Sequence, residues 1–300
     1  HIVAIHNTLR KTNHKIYPFL APMCRDTLLL NWAARLTLAE FGPDSFGDKM
    51  TSVGVGQYMQ LIKKYWEDYD FFKSGAADEE LEGRGFSPDV EFPGYRYRTD
   101  SLKLWDIYGT FATDYVNEVY ASDAEVAADA DLQSWATETS DPTRGAVKGF
   151  PTKFTDKKIL VKTLQTLFWI CSGFHAAVNF SQYDFYAYQA NKPLGFRAPV
   201  SDWPDATGDK DWIFENGMPH MAEAKQGIAT ARVLTYQSHQ TIDRLDEFFG
   251  ETGSQAYNTF KENLQVMSDE IDARSANDLA ANGPVYEYLK PCNVPSSIDI

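Results

Sequence analysis

Cysteine is scarce in this chain. Its 300 residues include three, Cys24, Cys171 and Cys292, and no two of them form a C-x-x-C pair. Three scattered thiols indicate neither a disulfide framework nor a thiolate zinc site, and such usage favours a reducing compartment. We therefore expect a cytoplasmic protein.

Positive charge is also in short supply. Lys and Arg number 28 against 42 Asp and Glu, which gives a formal net charge of −14. Proteins that bind nucleic acid neutralise its phosphates with Lys and Arg, so we predict no nucleic-acid partner. The same charge disfavours attraction to anionic lipid, so peripheral membrane contact would have to use apolar or ion-assisted routes.

Long apolar runs and strand patterns are missing as well. The longest apolar stretch, residues 164–180, is broken by Gln165, Ser172, His175 and Asn179, whereas a bilayer span needs about 20 mostly apolar residues. No segment alternates between apolar and polar residues as a half-buried strand does. Apolar residues still make up 43% of the chain, so we predict a mainly α protein with one continuous core.

Apolar residues recur at helical spacing along most of the chain. This pattern predicts helices over residues 27–41, 57–71, 101–120, 124–137, 155–186, 223–249 and 255–275. Asp26 is a suitable cap for the first of them, and Gly42-Pro43 a suitable stop. Clusters of Gly and Pro predict turns and loops over residues 73–99, 142–151 and 191–217.

The segment FWICSGFHAAVNFSQYDFYAY, residues 168–188, contains the strongest chemical signal. His175 and Asn179 are four residues apart and Gln182 follows at seven, so a helix places all three along one face. Imidazole and amide ligands without thiolates suit iron, manganese or zinc. A hydrogen-bonded pair in the core is the simpler interpretation of this spacing. The apolar terminal residue Ile300 adds a second candidate, because its α-carboxylate would be a hard oxygen ligand.

Further segments occur in one order around this one. They are HKIYPFLAPMCRDTLLLNWAARLTL at residues 14–38, DLQSWATE, GFPTKF, VYEYLKP and the terminal SSIDI. With HAAVNFSQYDFYAY they closely resemble the lipoxygenases, non-haem iron dioxygenases of polyunsaturated fatty acids. The resemblance covers nearly all 300 residues. It implies one helical catalytic domain over residues 1–300, partial at its amino terminus and without an amino-terminal β-barrel domain.

By this resemblance, several polar groups would form an iron centre. His175 and the carboxylate of Ile300 would be iron ligands, and Asn179 a weak or distant ligand through its amide oxygen. Gln182 would be an amide that links the metal site to the substrate cavity.

Two further ligands of the family are histidines spaced H-x-x-x-x-H. His1 and His6 have that spacing. However, the match of His14 to the family places the ligand pair a few residues before residue 1. We therefore favour His6 as an ordinary helix residue and a metal site that is incomplete in this chain.

The resemblance also implies an apolar, curved cavity for the substrate. Leu38 and Leu234 match the leucines that clamp the pentadiene of the fatty acid. Ala34 matches a position at which relatives carry Ala for S products and Gly for R products, because a methyl group there covers one end of the pentadiene from oxygen. An S-hydroperoxide is therefore expected.

Other positions bear on how deeply and in which direction the substrate enters. Met50, Thr51 and Thr230 match positions that set the depth of the cavity. Ala33 stands where relatives carry a basic residue that pairs with the substrate carboxylate. The orientation of the fatty acid is therefore left open.

The implied activity is the dioxygenation of a polyunsaturated fatty acid of the linoleate or arachidonate type, with O2 as the second substrate. In this family a ferric hydroxide takes a hydrogen atom from a doubly allylic carbon, and O2 adds to the opposite face of the radical. No acid–base side chain is needed, so we predict none. A non-catalytic helical lipid-binding module stays open, because two ligands are missing. A manganese-using lipoxygenase also stays open, because iron and manganese share nitrogen and oxygen ligands.

Overall fold

A computed structural model describes residues 1–37, 55–87, 90, 92, 94–189, 195–204, 209–236, 240–250 and 253–298. Within these ranges the chain is mainly helical and contains no strand, apart from an isolated bridge between Thr241 and Pro295. The prediction of a mainly α fold is confirmed. None of the described helices is long and apolar enough to cross a membrane.

The chain forms two compact units. Among the described residues, the first unit lies within 1–28, 69–177 and 237–298, and the second unit lies within 29–68 and 178–236. Two helices, Thr27–Thr37 and His175–Asn179, lie at points where the chain passes from one unit to the other.

The first unit contains most of the described helices. Their bounds are Ile2–Ile5, a π-helix His6–Arg10, Tyr17–Cys24, Phe71–Gly75, Ala77–Gly83, Arg96–Val119, Asp123–Ala128, Ala130–Ser140, Lys157–Trp169, a π-helix Ile170–Phe174, Asp246–Phe249 and Gln255–Ala280. A short 3₁₀ turn, Pro291–Asn293, follows near the end of the chain.

The core of the first unit is built around the Arg96–Val119 helix. This helix packs against both Lys157–Trp169 and Gln255–Ala280. Stacked rings join the three helices: the centroids of Tyr108 and Phe168 are 4.3 Å apart, and those of Phe111 and Phe260 are also 4.3 Å apart. All four rings are buried. Aromatic burial of this extent dominates the stability of a core.

Among its described residues, the second unit has helices of at most 14 residues and few buried side chains. Its helices are Val55–Asp68, Gln182–Tyr186, Lys210–Trp212, a π-helix Ile213–Gly217 and Met221–Leu234, with a 3₁₀ turn at Val200–Asp202. Gln182–Tyr186 packs against Met221–Leu234, where the Arg232 guanidinium lies 5.5 Å from the centre of the Tyr183 ring.

Several predicted helices are interrupted. The helix expected over 124–137 is divided at Asp129, whose carboxylate accepts hydrogen bonds from the backbone N–H groups of Asp131 and Leu132 and so begins a new helix. The helix expected over 155–186 is divided by the π-helix Ile170–Phe174 and again near residue 181. The helix expected over 223–249 ends at Leu234.

Two predicted loops proved to be partly helical. Residues 191–217 include the helix Lys210–Trp212 and the π-helix Ile213–Gly217. Residues 73–99 overlap two short helices, Phe71–Gly75 and Ala77–Gly83. Asp70 explains the first of them, because its side chain accepts hydrogen bonds from the N–H groups of Phe72 and Lys73. The prediction of a continuous loop over residues 73–99 was wrong at its start, because the cap by Asp70 stabilises a helix despite the Gly and Pro content.

Candidate metal centre and substrate cavity

His175 is buried at the end of the first unit's longest apolar stretch. It begins the helix His175–Asn179, directly after the π-helix Ile170–Phe174, and its exposed fraction is 6%. π-helical turns inside α-helices occur often at functional sites. Ser172 and Gly173 within this turn are poor formers of a helix interior. This Ser-Gly pair is the signal in the sequence that marks the interruption of the helix.

The π turn is in close contact with the Arg96–Val119 helix. The Ser172 hydroxyl donates to the Phe168 carbonyl at 2.5 Å, and the Tyr108 hydroxyl lies 2.7 Å from Ser172 Oγ. A Cβ atom on Gly173 would lie 2.4 Å from the Trp169 ring and 3.1 Å from Leu104 Cδ2. These contacts leave the turn no room for a larger residue at Gly173.

The two amides predicted to lie near a metal are in contact with each other in the second unit. Gln182 Nε2 donates to Asn179 Oδ1 at 3.3 Å. Asn179 ends the His175–Asn179 helix, and Gln182 begins the next one. The single helix that was expected to carry both amides along one face is interrupted between them, so this hydrogen bond joins two short helices.

The donor types at His175 and Asn179 fit a non-haem metal, since imidazole nitrogen and amide oxygen are ligands that iron and manganese accept. Within the described residues no group of three or more His, Cys, Asp or Glu side chains could hold a metal ion. Ile300, whose carboxylate was predicted to be a ligand, lies outside the described residues.

His6 is placed where a metal cation is disfavoured. The Arg10 guanidinium lies 3.0 Å from His6 Nδ1. Burial, together with the charge of Arg10, lowers the pKa of His6. A neutral imidazole has one nitrogen lone pair, and in this structure the Arg10 guanidinium donates to it. His1 is exposed.

The predicted cavity residues that the structure describes lie in the second unit. Ala34, Thr230 and Leu234 are half-buried. Thr230 and Leu234 are one turn apart in the Met221–Leu234 helix, and the Thr230 hydroxyl donates to the Gln226 carbonyl at 3.0 Å. The remaining predicted cavity residues, Leu38, Met50 and Thr51, lie outside the described residues.

Comparison with known proteins decides which family these features belong to. A sequence model of the lipoxygenases matches residues 1–291. The chain belongs to the lipoxygenase family. The family assignment made from the sequence motifs is thereby confirmed.

Two curated lipoxygenase relatives align along almost the whole chain. The epidermal-type polyunsaturated fatty acid (12S)/(13S)-lipoxygenase of Rattus norvegicus is 29% identical over 297 residues, which are 96% of this chain and 42% of the rat protein. The hydroperoxide isomerase ALOXE3 of Homo sapiens is 35% identical over 298 residues, which are 96% of this chain and 40% of the human protein. The chain thus spans about two fifths of the length of these relatives.

The fold is likewise that of a lipoxygenase. A crystal structure of coral 8R-lipoxygenase matches with a TM-score of 0.83 at 26% identity, over 96% of this chain and 43% of the coral chain. The described helices therefore make up part of the lipoxygenase domain.

Proposed function

We propose that the protein containing this chain is a dioxygenase that converts a polyunsaturated fatty acid and O2 to a hydroperoxide. Membership of the lipoxygenase family is the observation that carries this proposal. The rat relative is named for polyunsaturated fatty acids, which supports the substrate class. The burial of His175 beside a π turn is consistent with a metal ligand at that position.

We assign the metal-binding role to residues at the carboxyl-terminal side of this chain. His175 would bind through an imidazole nitrogen, Asn179 weakly through its amide oxygen, and Ile300 through its α-carboxylate. Gln182 would transmit the position of the substrate to Asn179 through the 3.3 Å hydrogen bond between their amides. When bound, a redox-active metal would supply one-electron chemistry at the substrate. Iron is the metal expected, with manganese as the alternative.

We further propose that the product is S-configured. Ala34 is half-buried in the Thr27–Thr37 helix, and its methyl group would cover one end of the pentadiene from oxygen. Leu38 and Leu234 would clamp the pentadiene, while Met50, Thr51 and Thr230 would limit how far the chain of the fatty acid enters.

Elemental analysis of the full-length protein measures which metal it binds. Conjugated-diene absorbance measures whether it oxygenates a fatty acid. Near-stoichiometric iron with conjugated-diene absorbance after addition of linoleate or arachidonate would support the proposal. Manganese with the same absorbance would support the proposed reaction and identify manganese, not iron, as the metal. A protein that binds the fatty acid without a transition metal or diene formation would instead be a lipid-binding module.

The role of Ile300 has its own test, which rests on the proposal that its α-carboxylate is a ligand. Appending a few residues after Ile300 moves the carboxylate away and should abolish metal retention, whereas Ile300→Val keeps the carboxylate and should have a smaller effect. The metal content of both variants is measured after dialysis. Unchanged metal content in the extended variant would contradict the assignment.

The 35% identity to a human hydroperoxide isomerase supports a second candidate activity. In that case the protein would rearrange a fatty-acid hydroperoxide rather than form one from the free acid and O2. Supplying the hydroperoxide under anaerobic conditions, without free fatty acid, distinguishes the two. Only an isomerase would convert many equivalents of hydroperoxide per protein into a product of the same mass, whereas a dioxygenase would consume at most about one equivalent in oxidising its metal.

A further inference from the structure

We propose that Tyr108 and Ser172 are positioning residues that hold the π turn in the geometry that orients His175. This inference rests on the proposed metal-binding role of His175. The two side chains come from helices 64 positions apart in sequence and meet in the core of the first unit. Neither side chain would touch a substrate or a metal, since both act through the backbone that precedes His175.

The direction of the hydrogen bonds follows from counting protons. Ser172 has one hydroxyl hydrogen, and it is donated to the Phe168 carbonyl at 2.5 Å. Tyr108 must therefore be the donor in its 2.7 Å contact with Ser172 Oγ. The Tyr108 hydroxyl thus donates to Ser172, and the Ser172 hydroxyl donates to the Phe168 carbonyl in the Lys157–Trp169 helix. Burial raises the pKa of Tyr108, so its hydroxyl remains a proton donor at neutral pH.

The Ser172 hydroxyl acts where the backbone pairing changes. In an α-helix each N–H pairs with the carbonyl four residues earlier, and in a π turn with the carbonyl five residues earlier. The change of pairing shifts the register by one residue on entry to the turn, so one backbone N–H is left over there. The Ser172 hydroxyl adds a side-chain bond to the Phe168 carbonyl at this point, and a serine that bonds the carbonyl four residues back often bends the helix.

The Arg96–Val119 helix, which carries Tyr108, also restricts the space beside Gly173 in the π turn. Leu104 and Tyr108 are one turn apart on the Arg96–Val119 helix. Leu104 Cδ2 lies 3.1 Å from where a Cβ of Gly173 would be, and Tyr108 bonds Ser172. The Tyr108 hydroxyl thus holds Ser172, and a methyl group of Leu104 packs against Gly173. His175 follows two residues after Gly173, so a relaxation of the turn would rotate its imidazole.

The test compares Tyr108→Phe with Tyr115→Phe in the full-length protein. Tyr115 is a matched control because it lies on the same helix, is also buried and donates one hydrogen bond, 2.8 Å long, to the carbonyl of Lys15. Each variant loses one hydroxyl and keeps its ring. Loss of stability alone would therefore affect both variants, whereas loss of His175 orientation would affect only Tyr108→Phe.

Hydrogen exchange of the metal-free protein is the first readout. We expect the amides of residues 170–175 to exchange about tenfold faster in Tyr108→Phe and at the wild-type rate in Tyr115→Phe. Metal affinity, measured by competition with a chelator for iron, is the second. It should fall by about 10-fold to 100-fold in Tyr108→Phe, as for other residues that orient a metal-binding histidine.

Ser172→Ala and the double variant complete the design. Because Ser172 takes part in both hydrogen bonds, Ser172→Ala removes both of them, and the double variant should lose no more metal affinity than Ser172→Ala alone. Wild-type exchange rates at residues 170–175 in Tyr108→Phe would overturn the inference. If the wild-type protein takes up no metal, the proposed function fails, and the exchange measurement still decides whether Tyr108 holds the turn.

Discussion

The carboxylate of Asp129 makes hydrogen bonds to several separate parts of the chain. Its Oδ2 accepts hydrogen bonds from the Tyr120 hydroxyl at 2.6 Å and from His14 Nε2 at 2.9 Å, while its Oδ1 caps the next helix. Burial acts to raise the pKa of Asp129, but the hydrogen bonds from Tyr120 and His14 outweigh it, and the pKa is lowered. Asp129 therefore stabilises the fold in its ionised form.

This gives a prediction about acid stability. A lowered pKa in the folded state contributes stability above the unfolded value of about 3.9, and the contribution is lost as the pH falls through the folded value. Asp129→Asn should lower the free energy of unfolding by about 1–3 kcal/mol at pH 7. The difference from wild type should shrink as the pH falls below about 4, because the unfolded chain then binds a proton at Asp129 that the folded protein binds only at lower pH.

Urea unfolding at several pH values measures the effect. The exposed Asp68 serves as the control, since its replacement by Asn should leave both stability and pH dependence nearly unchanged. An Asp129→Asn variant whose stability deficit is the same at every pH would contradict the role of the ionised carboxylate.

A second prediction for a single residue concerns stereochemistry. If the Ala34 methyl group covers one end of the pentadiene, Ala34→Gly should shift oxygenation toward the R product at a neighbouring carbon. Chiral chromatography of the products measures this. The neighbouring variant Ala33→Gly changes helix propensity in the same way and should not alter chirality. Unaltered products from Ala34→Gly would remove Ala34 from this role.

At the scale of secondary structure, helix types and approximate positions followed from hydrophobic periodicity. The predicted helix over residues 101–120 corresponds to Arg96–Val119, and that over 255–275 corresponds to Gln255–Ala280. The interruptions of these helices could not be predicted from hydrophobic periodicity. The break at Asp129 depends on capping, and the π turn before His175 depends on contacts with Tyr108 and Leu104 from a distant helix.

The close packing of the π turn predicts a large effect of one methyl group. Gly173→Ala places a Cβ atom 2.4 Å from the Trp169 ring, which must then move. We expect a loss of about 1–3 kcal/mol in the free energy of unfolding. Gly83→Ala is the matched control, because no heavy atom lies within 4 Å of the added Cβ. Chemical denaturation of both variants measures the difference, and equal stabilities would argue against tight packing at Gly173.

For the whole molecule, net charge has a consequence for membranes. The formal charge of −14 should repel vesicles rich in anionic lipid. We expect weaker co-sedimentation of the chain with phosphatidylserine vesicles than with phosphatidylcholine vesicles at low salt, and a smaller difference at high salt because salt screens the charges. Stronger binding to the anionic vesicles without divalent cations would contradict the prediction.

The sequence by itself determined the helical class, the family, the acidic charge and the spacing of His175, Asn179 and Gln182. These properties depend on composition and on residues close together in the chain. Only the tertiary structure revealed that His175 is buried after a π turn and that Tyr108 reaches Ser172 across 64 positions. The physical reason is that local periodicity fixes which face of a helix is apolar, whereas the hydrogen-bond partners of a buried hydroxyl depend on how distant helices pack.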